Sequence, residues 1–375
     1  MAKTNKKFML LSAVGIIMVV DVHCYGPLSL FCSFLPYNSF FMPMFMFISG
    51  YFNKVDKDTD LWKYTKRKTR TLLLPYFVIS FLAFFIERLI ICFKTGTVPA
   101  LSGKLFLQLF TNAFTSGEMA SIAAPMWFVP LLFTVQIIYA VVKKTLYNYW
   151  NGKKALILFA LLHIFVVWYV TGSGIAPYKY LPFKVLFFLV FLEMGIFFRD
   201  VLEEKLKKVN PLLLMTFLLL VNMTRIIILP SESDIAFRDL STLTGFTSPY
   251  PVTPLISSIV GILFWLEIVE LIGPPLYENR IINYISENTF FIMGFHIIFF
   301  NLLNCVLFSV NKIIALPDFD VSTFQRSNWY RWEYVLQFRL AYFLAGLFGS
   351  LALRQIYDRF IKKPVSDRVK KRKQY

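Results

Sequence analysis

Two polar residues, Asp21 and His23, follow an unbroken apolar stretch near the start of the chain. A neutral imidazole carries a lone pair and titrates near neutrality, which suits a general base that takes a proton from an attacking hydroxyl. On an ideal helix, residues two apart lie about 200° apart around the axis. Asp21 would therefore orient His23 only if Gly26 and Pro27 loosen the helix there. The alternative for a lone histidine in an apolar stretch is a hydrogen bond between helices.

A basic cluster occupies residues 63–70, between the second and third apolar blocks. Arg67 and Arg70 are three residues apart, so a helix places them on one face, and Lys66 precedes Arg67. Two neighbouring guanidinium groups match the oxygens of a phosphate. The alternative is a basic flank of a membrane segment that binds anionic lipid.

Other polar and aromatic residues are further candidates. Ionisable groups inside apolar blocks are costly, so Glu193 and His296 are functional candidates. Trp329, Tyr330 and Trp332 offer flat apolar faces with polar edges, which suit stacking on a sugar ring; the alternative is an interfacial aromatic belt. Structural or interfacial roles fit most of the remaining set, which includes Glu87, Arg88, His163, Arg225, Glu267 and Glu270.

The composition indicates what must position these residues. The 375 residues are 57% hydrophobic and 16% charged, whereas a soluble domain carries roughly 25% charged residues. The apolar residues form long blocks, and about 20 apolar residues cross ~30 Å of hydrocarbon. Backbone groups in lipid must bond within their own segment, so such blocks become helices. The sequence predicts an all-α, polytopic integral membrane protein.

About ten transmembrane helices are predicted within a single domain, residues 1–375, whose helical core runs from about 8 to 360 and whose basic tail is 361–375. The helices cover residues 8–27, 36–53, 71–93, 125–147, 154–171, 181–199, 211–230, 251–273, 288–311 and 335–360. The first is interpreted as retained, because no small-residue cleavage pattern follows it. An amphipathic surface helix is expected within 94–124, and an irregular loop within 231–250.

The distribution of charge predicts the orientation. The net charge is +17, and 28 of the 39 Lys and Arg residues fall on one side of the membrane if the helices alternate. The positive-inside rule makes that side cytoplasmic, with both termini inside, and predicts a plasma or inner membrane protein. This distribution favours contact with the bilayer over binding of nucleic acid. The four cysteines lack metal-ligand spacing, and no metal site is expected.

An ordered set of motifs makes the chain resemble the membrane acyltransferase-3 family, and within it the branch of fucose-type sugar O-acetylases. The order and spacing hold over most of the chain. The motifs are His23 after the first apolar run, FMPMFMFISGYF at 41–52, RKTRTLLLPY at 67–76, PMWFVPL at 125–131, and ISENTF at 285–290 followed by His296.

The resemblance implies an O-acyltransferase, most often an O-acetyltransferase, that uses acyl-CoA such as acetyl-CoA as donor substrate and holds no permanent cofactor. The acceptor would be a hydroxyl of a cell-surface or lipid-linked polysaccharide. His23 would be the catalytic histidine, Arg67 and Arg70 would hold the donor phosphates, and Trp127 and Pro130 would shape the site. The complete candidate set is His23, Asp21 and Glu193 for catalysis; Arg67, Arg70, Lys66 and Trp127 for the donor; and Trp329, Tyr330, Trp332 and His296 for the acceptor.

Two positions depart from the family pattern. Many relatives carry an Arg about eleven residues before the histidine, where this chain has Ser12, and Asp21 is polar where many relatives are apolar. A carrier or flippase for a lipid-linked sugar is the competing interpretation. Helices broken at Pro43, Pro130 or Pro254 would favour it, but a carrier has no need for His23 together with the arginine pair.

Overall fold

The computed structural model of the protein describes residues 5–28, 35–171, 175–228, 242–245, 250–333 and 335–362. Within these ranges the chain forms thirteen helices, apart from short 3₁₀ and π turns, and no β-sheet. The helices are α1 Lys6–His23, α2 Tyr37–Tyr51, α3 Leu61–Thr95, α4 Gly103–Ala113, α5 Ser121–Thr145, α6 Gly152–Val170, α7 Tyr180–Leu206, α8 Pro211–Ile228, α9 Thr253–Leu276, α10 Arg280–Glu287, α11 Thr289–Asn311, α12 Val321–Arg326 and α13 Leu336–Tyr357.

Every one of the ten predicted spans coincides with a helix. Across the described ranges, eight helices are long and apolar enough to cross a membrane, namely α3, α5, α6, α7, α8, α9, α11 and α13. The other two, α1 and α2, have 18 and 15 residues and lie largely buried among the rest. At 1.5 Å per residue, α2 is about 22 Å long, shorter than the hydrocarbon core. The predicted all-α, polytopic membrane fold is confirmed.

The end of α1 differs from the prediction, which extended this helix to residue 27. The helix stops at His23, because Tyr25 and Gly26 both adopt positive φ, 62° and 63°. A left-handed tyrosine is an uncommon backbone state that needs support from its surroundings. Asp21 supplies part of that support: its backbone oxygen accepts from Gly26 N at 2.8 Å. His23 is therefore the last residue of α1 rather than one inside a longer helix.

Prolines do not break the helices at the three positions that would have favoured a carrier. α2 continues through Pro43 to Tyr51. Pro130 lies in the first turn after the 3₁₀ segment Ser121–Trp127 of α5, and Pro254 lies in the first turn of α9. A first helical turn tolerates proline because its N–H groups have no partner within the helix.

Two glycines bring α2 and α7 into backbone contact. A methyl group at Gly50 would lie 2.0 Å from the backbone oxygen of Leu192, and one at Gly195 would lie 2.0 Å from that of Phe47. No larger residue fits at either position without separating the helices. This close approach fixes the motif at 41–52 in the bundle.

The surface helix predicted within residues 94–124 is observed as α4. Ser102 caps it by accepting from Leu105 N, and Leu109 and Ala113 are buried whereas Leu107 is exposed. The irregular loop predicted at 231–250 lies outside the described residues, apart from 242–245 and 250.

The start of α1 and the ends of α7 and α9 lie together at one face of the helical bundle. Lys7 Nζ lies 3.0 Å from Glu270 and 3.7 Å from Glu203. Tyr51, at the end of α2, also donates to Glu203 at 2.8 Å. We call the side of the bundle that holds these helix ends the basic face. Its arrangement agrees with the alternation of helices across the membrane on which the predicted orientation depends.

We expect the basic face to be cytoplasmic. In a protein whose cysteines have been replaced, a single cysteine at Lys205 should escape a membrane-impermeant maleimide in intact cells and react after lysis. A cysteine at exposed Asp318, beyond the opposite end of α11, is the matched control and should react in intact cells. Labelling at position 205 in intact cells would overturn the orientation.

Candidate active site

His23 on α1 and His296 on α11 are in direct contact. His23 Nδ1 lies 3.0 Å from His296 Nε2, and the ring centroids are 5.1 Å apart. The sequence alone did not predict this contact. The short helix α10 packs along α1 before α11 begins, so α11 starts inside the bundle and carries His296 to the level of His23.

The hydrogen bonds of the pair assign the ring protons. His296 Nδ1 lies 2.8 Å from the backbone oxygen of Ile292, which can only accept, so Nδ1 carries the proton. In a neutral ring, Nε2 of His296 then has the lone pair and accepts from Nδ1–H of His23. His23 is thereby left with a lone pair on Nε2. This is the tautomer that a general base needs, held by a fixed acceptor.

Side-chain amides on α11 hold an outer loop, residues 327–333, over the pair. Asn301 Nδ2 donates to the backbone oxygen of Asn328, and Asn304 Nδ2 donates to that of Tyr330, both at 2.8 Å. Trp329 of this loop has its ring centroid 5.6 Å from that of His23. The loop closes the site on the side opposite the basic face.

A buried polar cluster ties the outer loop to α3 and α5. Lys94 Nζ lies 3.1 Å from both Asn301 Oδ1 and Asn328 Oδ1. Asn328 Nδ2 donates to Glu87 at 2.6 Å and to Ser121 at 2.8 Å. Glu87 therefore has the structural rather than the interfacial role. Sequence analysis did not single out Lys94, Asn301 or Asn328, although charged and amide residues in apolar helices were an available signal.

A cavity is lined in part by Thr71, the residue that follows Arg70 in the chain. Arg67, Arg70 and Lys66 are exposed, and the chain from Thr69 to Leu73 forms a π turn. The cavity has a volume of about 470 Å³, and its walls include Thr71, Pro75, Phe45, Asn288, Met293 and Arg354. Met293 lies on α11 about one turn before His296, so the cavity wall includes residues close in sequence to both the basic cluster and the histidine pair.

A family model described as an acyltransferase domain matches residues 10–354. The chain belongs to the membrane acyltransferase-3 family. The predicted family is confirmed, and the protein is a membrane acyltransferase; the fucose-type branch stays a prediction. No match was found among curated proteins or among solved structures.

Two further catalytic candidates, Asp21 and Glu193, have hydrogen-bond partners other than His23. Asp21 is buried, and its Oδ1 accepts from Leu28 N at 2.9 Å, so its carboxylate holds the turn that ends α1. Glu193 accepts from the hydroxyl of Tyr139 and lies near Gly152. These contacts put Glu193 in a separate buried cluster of α5, α6 and α7.

Trp127 packs against the side chain of Lys184. Its ring lies under the ammonium group of Lys184, 5.3 Å from the centroid. Lys184 in turn donates to the backbone oxygens of Thr115 and Ser116. The 3₁₀ segment Ser121–Trp127 packs against α11. Trp127 thus supports the segment beside the histidine helix, and a direct contact with the donor stays a prediction.

The three outer aromatic residues of the acyltransferase do not form one platform. Tyr330 and Trp332 are buried; the tyrosine hydroxyl accepts from Asp320 N, and the indole N–H donates to Pro317 O. Their polar edges are therefore occupied within the protein. Trp329 is 40% exposed and lies beside His23. Of the three aromatic residues, Trp329 alone therefore remains a candidate for stacking on a sugar ring.

Proposed function

We propose that the protein is an O-acyltransferase, and specifically an O-acetyltransferase. It moves an acyl group from cytoplasmic acyl-CoA to a hydroxyl of a cell-surface or lipid-linked polysaccharide. The observation that carries the proposal is the His23–His296 pair, which leaves the lone pair of His23 Nε2 unused. A sugar hydroxyl is too weak an acid to ionise at neutral pH, so a base must take its proton as the ester bond forms.

The donor binds from the basic face in this proposal. Arg67 and Arg70, with Lys66 beside them, would hold the phosphates of acyl-CoA through charge-assisted hydrogen bonds. The acyl-bearing arm would then occupy the cavity that runs past Thr71 and Met293. Its thioester would reach the histidine pair from the inner side of the membrane.

The acceptor approaches from the opposite side. Trp329 combines partial exposure with a position next to His23, and an indole ring can stack on the apolar face of a sugar. Tyr330 and Trp332 would fix the loop that presents it. His296 would act on the acceptor only through His23.

Transfer of radiolabel tests the proposal. Purified protein in detergent is incubated with [¹⁴C]acetyl-CoA and a soluble oligosaccharide acceptor, and the label in the sugar is measured against a His23→Ala control. We expect label in an alkali-labile ester. Movement of a lipid-linked sugar across vesicles without any transfer of label would favour the carrier instead.

Loss of either arginine of the basic cluster should weaken use of the donor. Each charge-assisted bond to phosphate contributes about 1.5–3 kcal/mol, so Arg67→Ala or Arg70→Ala should raise KM for acyl-CoA roughly 10- to 100-fold. Arg70→Lys should also impair binding, because lysine cannot make the bidentate contact. KM for the acceptor should not change.

Exposed Lys63, in the same helix, provides a matched control for the loss of positive charge. Lys63→Ala should leave KM for acyl-CoA within about threefold of wild type, as expected of a surface residue paired only with Asp60. If both arginine variants also keep the wild-type value, the cluster is a topological flank and the donor binds elsewhere.

A further inference from the structure

Arg331 is a buried cation beside the histidine pair. Its side chain is enclosed, with the residue 5% exposed, and its guanidinium carbon lies 4.4 Å from the ring centroid of Phe300. Nη1 donates to the backbone oxygen of Tyr330 at 2.7 Å. Burial lowers the pKa of this guanidinium to about 10, so it remains charged at neutral pH.

Among the described residues, the other edge of the guanidinium group has no hydrogen-bond partner. Nε and Nη2 of Arg331 are buried without a hydrogen bond, and no carboxylate of the described residues lies within 4.0 Å. Leaving donors of a charged group unpaired and away from water is costly. Nε–H and Nη2–H point in parallel, which is the geometry that suits an anionic oxygen. The free edge therefore has the donor geometry of a site for an anionic oxygen.

Packing places Arg331 close to the histidine pair. Phe300 contacts Arg331 and His296, and its ring centroid lies 4.4 Å from the guanidinium carbon and 5.7 Å from the ring centroid of His296. Trp329, two residues before Arg331, lies against His23 from the same loop. A reacting carbonyl beside His23 would thus be near the free donors.

We propose that Arg331 is a catalytic residue that donates from Nε and Nη2 to the thioester carbonyl oxygen as that oxygen becomes negative. The inference rests on the proposed acyl transfer. The acceptor oxygen bonds to the carbonyl carbon while His23 Nε2 takes the hydroxyl proton, and the C=O π electrons move onto oxygen. When the C=O re-forms, the C–S bond breaks, and the departing sulfur takes the proton from His23. The products are the ester and free CoA.

The alternative occupant of the free edge is an acidic group on the acceptor, and steady-state kinetics separate the two. Arg331→Gln is compared with wild type in detergent, with acetyl-CoA and with a neutral and a uronic-acid oligosaccharide as acceptors. Losing an oxyanion donor lowers kcat by about 10²–10³-fold, so we expect that fall with both acceptors and with KM values near wild type. A raised KM for the uronic-acid acceptor alone, at unchanged kcat, would overturn the proposal. A kcat within threefold of wild type would also overturn it.

Controls separate this outcome from failure of the fold or of the proposed function. Arg326→Gln, which changes an exposed arginine whose side chain bonds Ser322, should keep wild-type kcat. CoA affinity by calorimetry should be unchanged in Arg331→Gln, and the melting temperature should stay close to that of wild type, because no carboxylate of the described residues pairs with the removed cation. If Arg331→Gln does not fold, Arg331→Lys decides: it keeps the charge but not the paired donors, and wild-type kcat in it would overturn the proposal. Absence of transfer by the wild type would instead refute the proposed function.

Discussion

Replacement of His23 by alanine should lower kcat by about 10²–10⁴-fold, the contribution that a general base makes to catalysis. The variant retains the rest of the site, because His296 keeps its bond to the Ile292 oxygen and Asp21 keeps the turn at the end of α1. Membrane insertion should not change, since a smaller apolar residue is compatible with lipid. Acyl transfer by purified protein, with folding checked by monodisperse size exclusion, measures the effect.

His163 provides the matched control for His23→Ala. It is more deeply buried than His23, and its Nδ1 lies 2.8 Å from the backbone oxygen of Phe187, but it contacts neither His23 nor the cavity. His163→Ala should therefore change stability more than turnover. A folded His23→Ala variant with more than half of wild-type turnover would contradict the assignment. The chemistry would then have to be carried by His296 or Glu193.

Sequence patterns predicted the helices well because apolar length is a local property. Each predicted span required only a run of residues that suit hydrocarbon, and each coincides with a helix. The boundary at His23 was wrong because it depends on the positive φ of Tyr25, which the apolar pattern does not reveal. The predicted span for α2, residues 36–53, is longer than the observed helix, Tyr37–Tyr51, by three residues.

The candidate site was less predictable because its residues meet only through tertiary packing. His23 was found from its isolation in an apolar block, but its contact with His296 depends on how far α10 raises α11 in the bundle. Arg331 and Lys94 were missed because their significance depends on burial by loops and neighbouring helices. Spacing along the chain also suggested one aromatic platform, whereas local packing turns Tyr330 and Trp332 inward.

Substitution of His296 by phenylalanine should lower kcat by about 100-fold or more, because the ring that fixes the tautomer of His23 would be lost. Phenylalanine fills a similar volume but cannot accept the Nδ1–H of His23, so that proton is free to move to Nε2 and block the base. His296→Gln should recover part of the rate, since its amide oxygen can accept the same hydrogen bond.

The pairing of the two histidines is tested by their non-additivity. If His296 acts only through His23, the double variant His23→Ala/His296→Phe should be no slower than His23→Ala alone, because the second change removes a partner already without function. Single-turnover acyl transfer measures the chemical step for all four proteins, and CoA affinity shows whether the donor site is intact. If the two substitutions instead lower the rate by independent factors that multiply, His296 contacts substrate directly, as the sequence alone had suggested. The hydrogen bond from His23 Nδ1 to His296 would then have no role in catalysis.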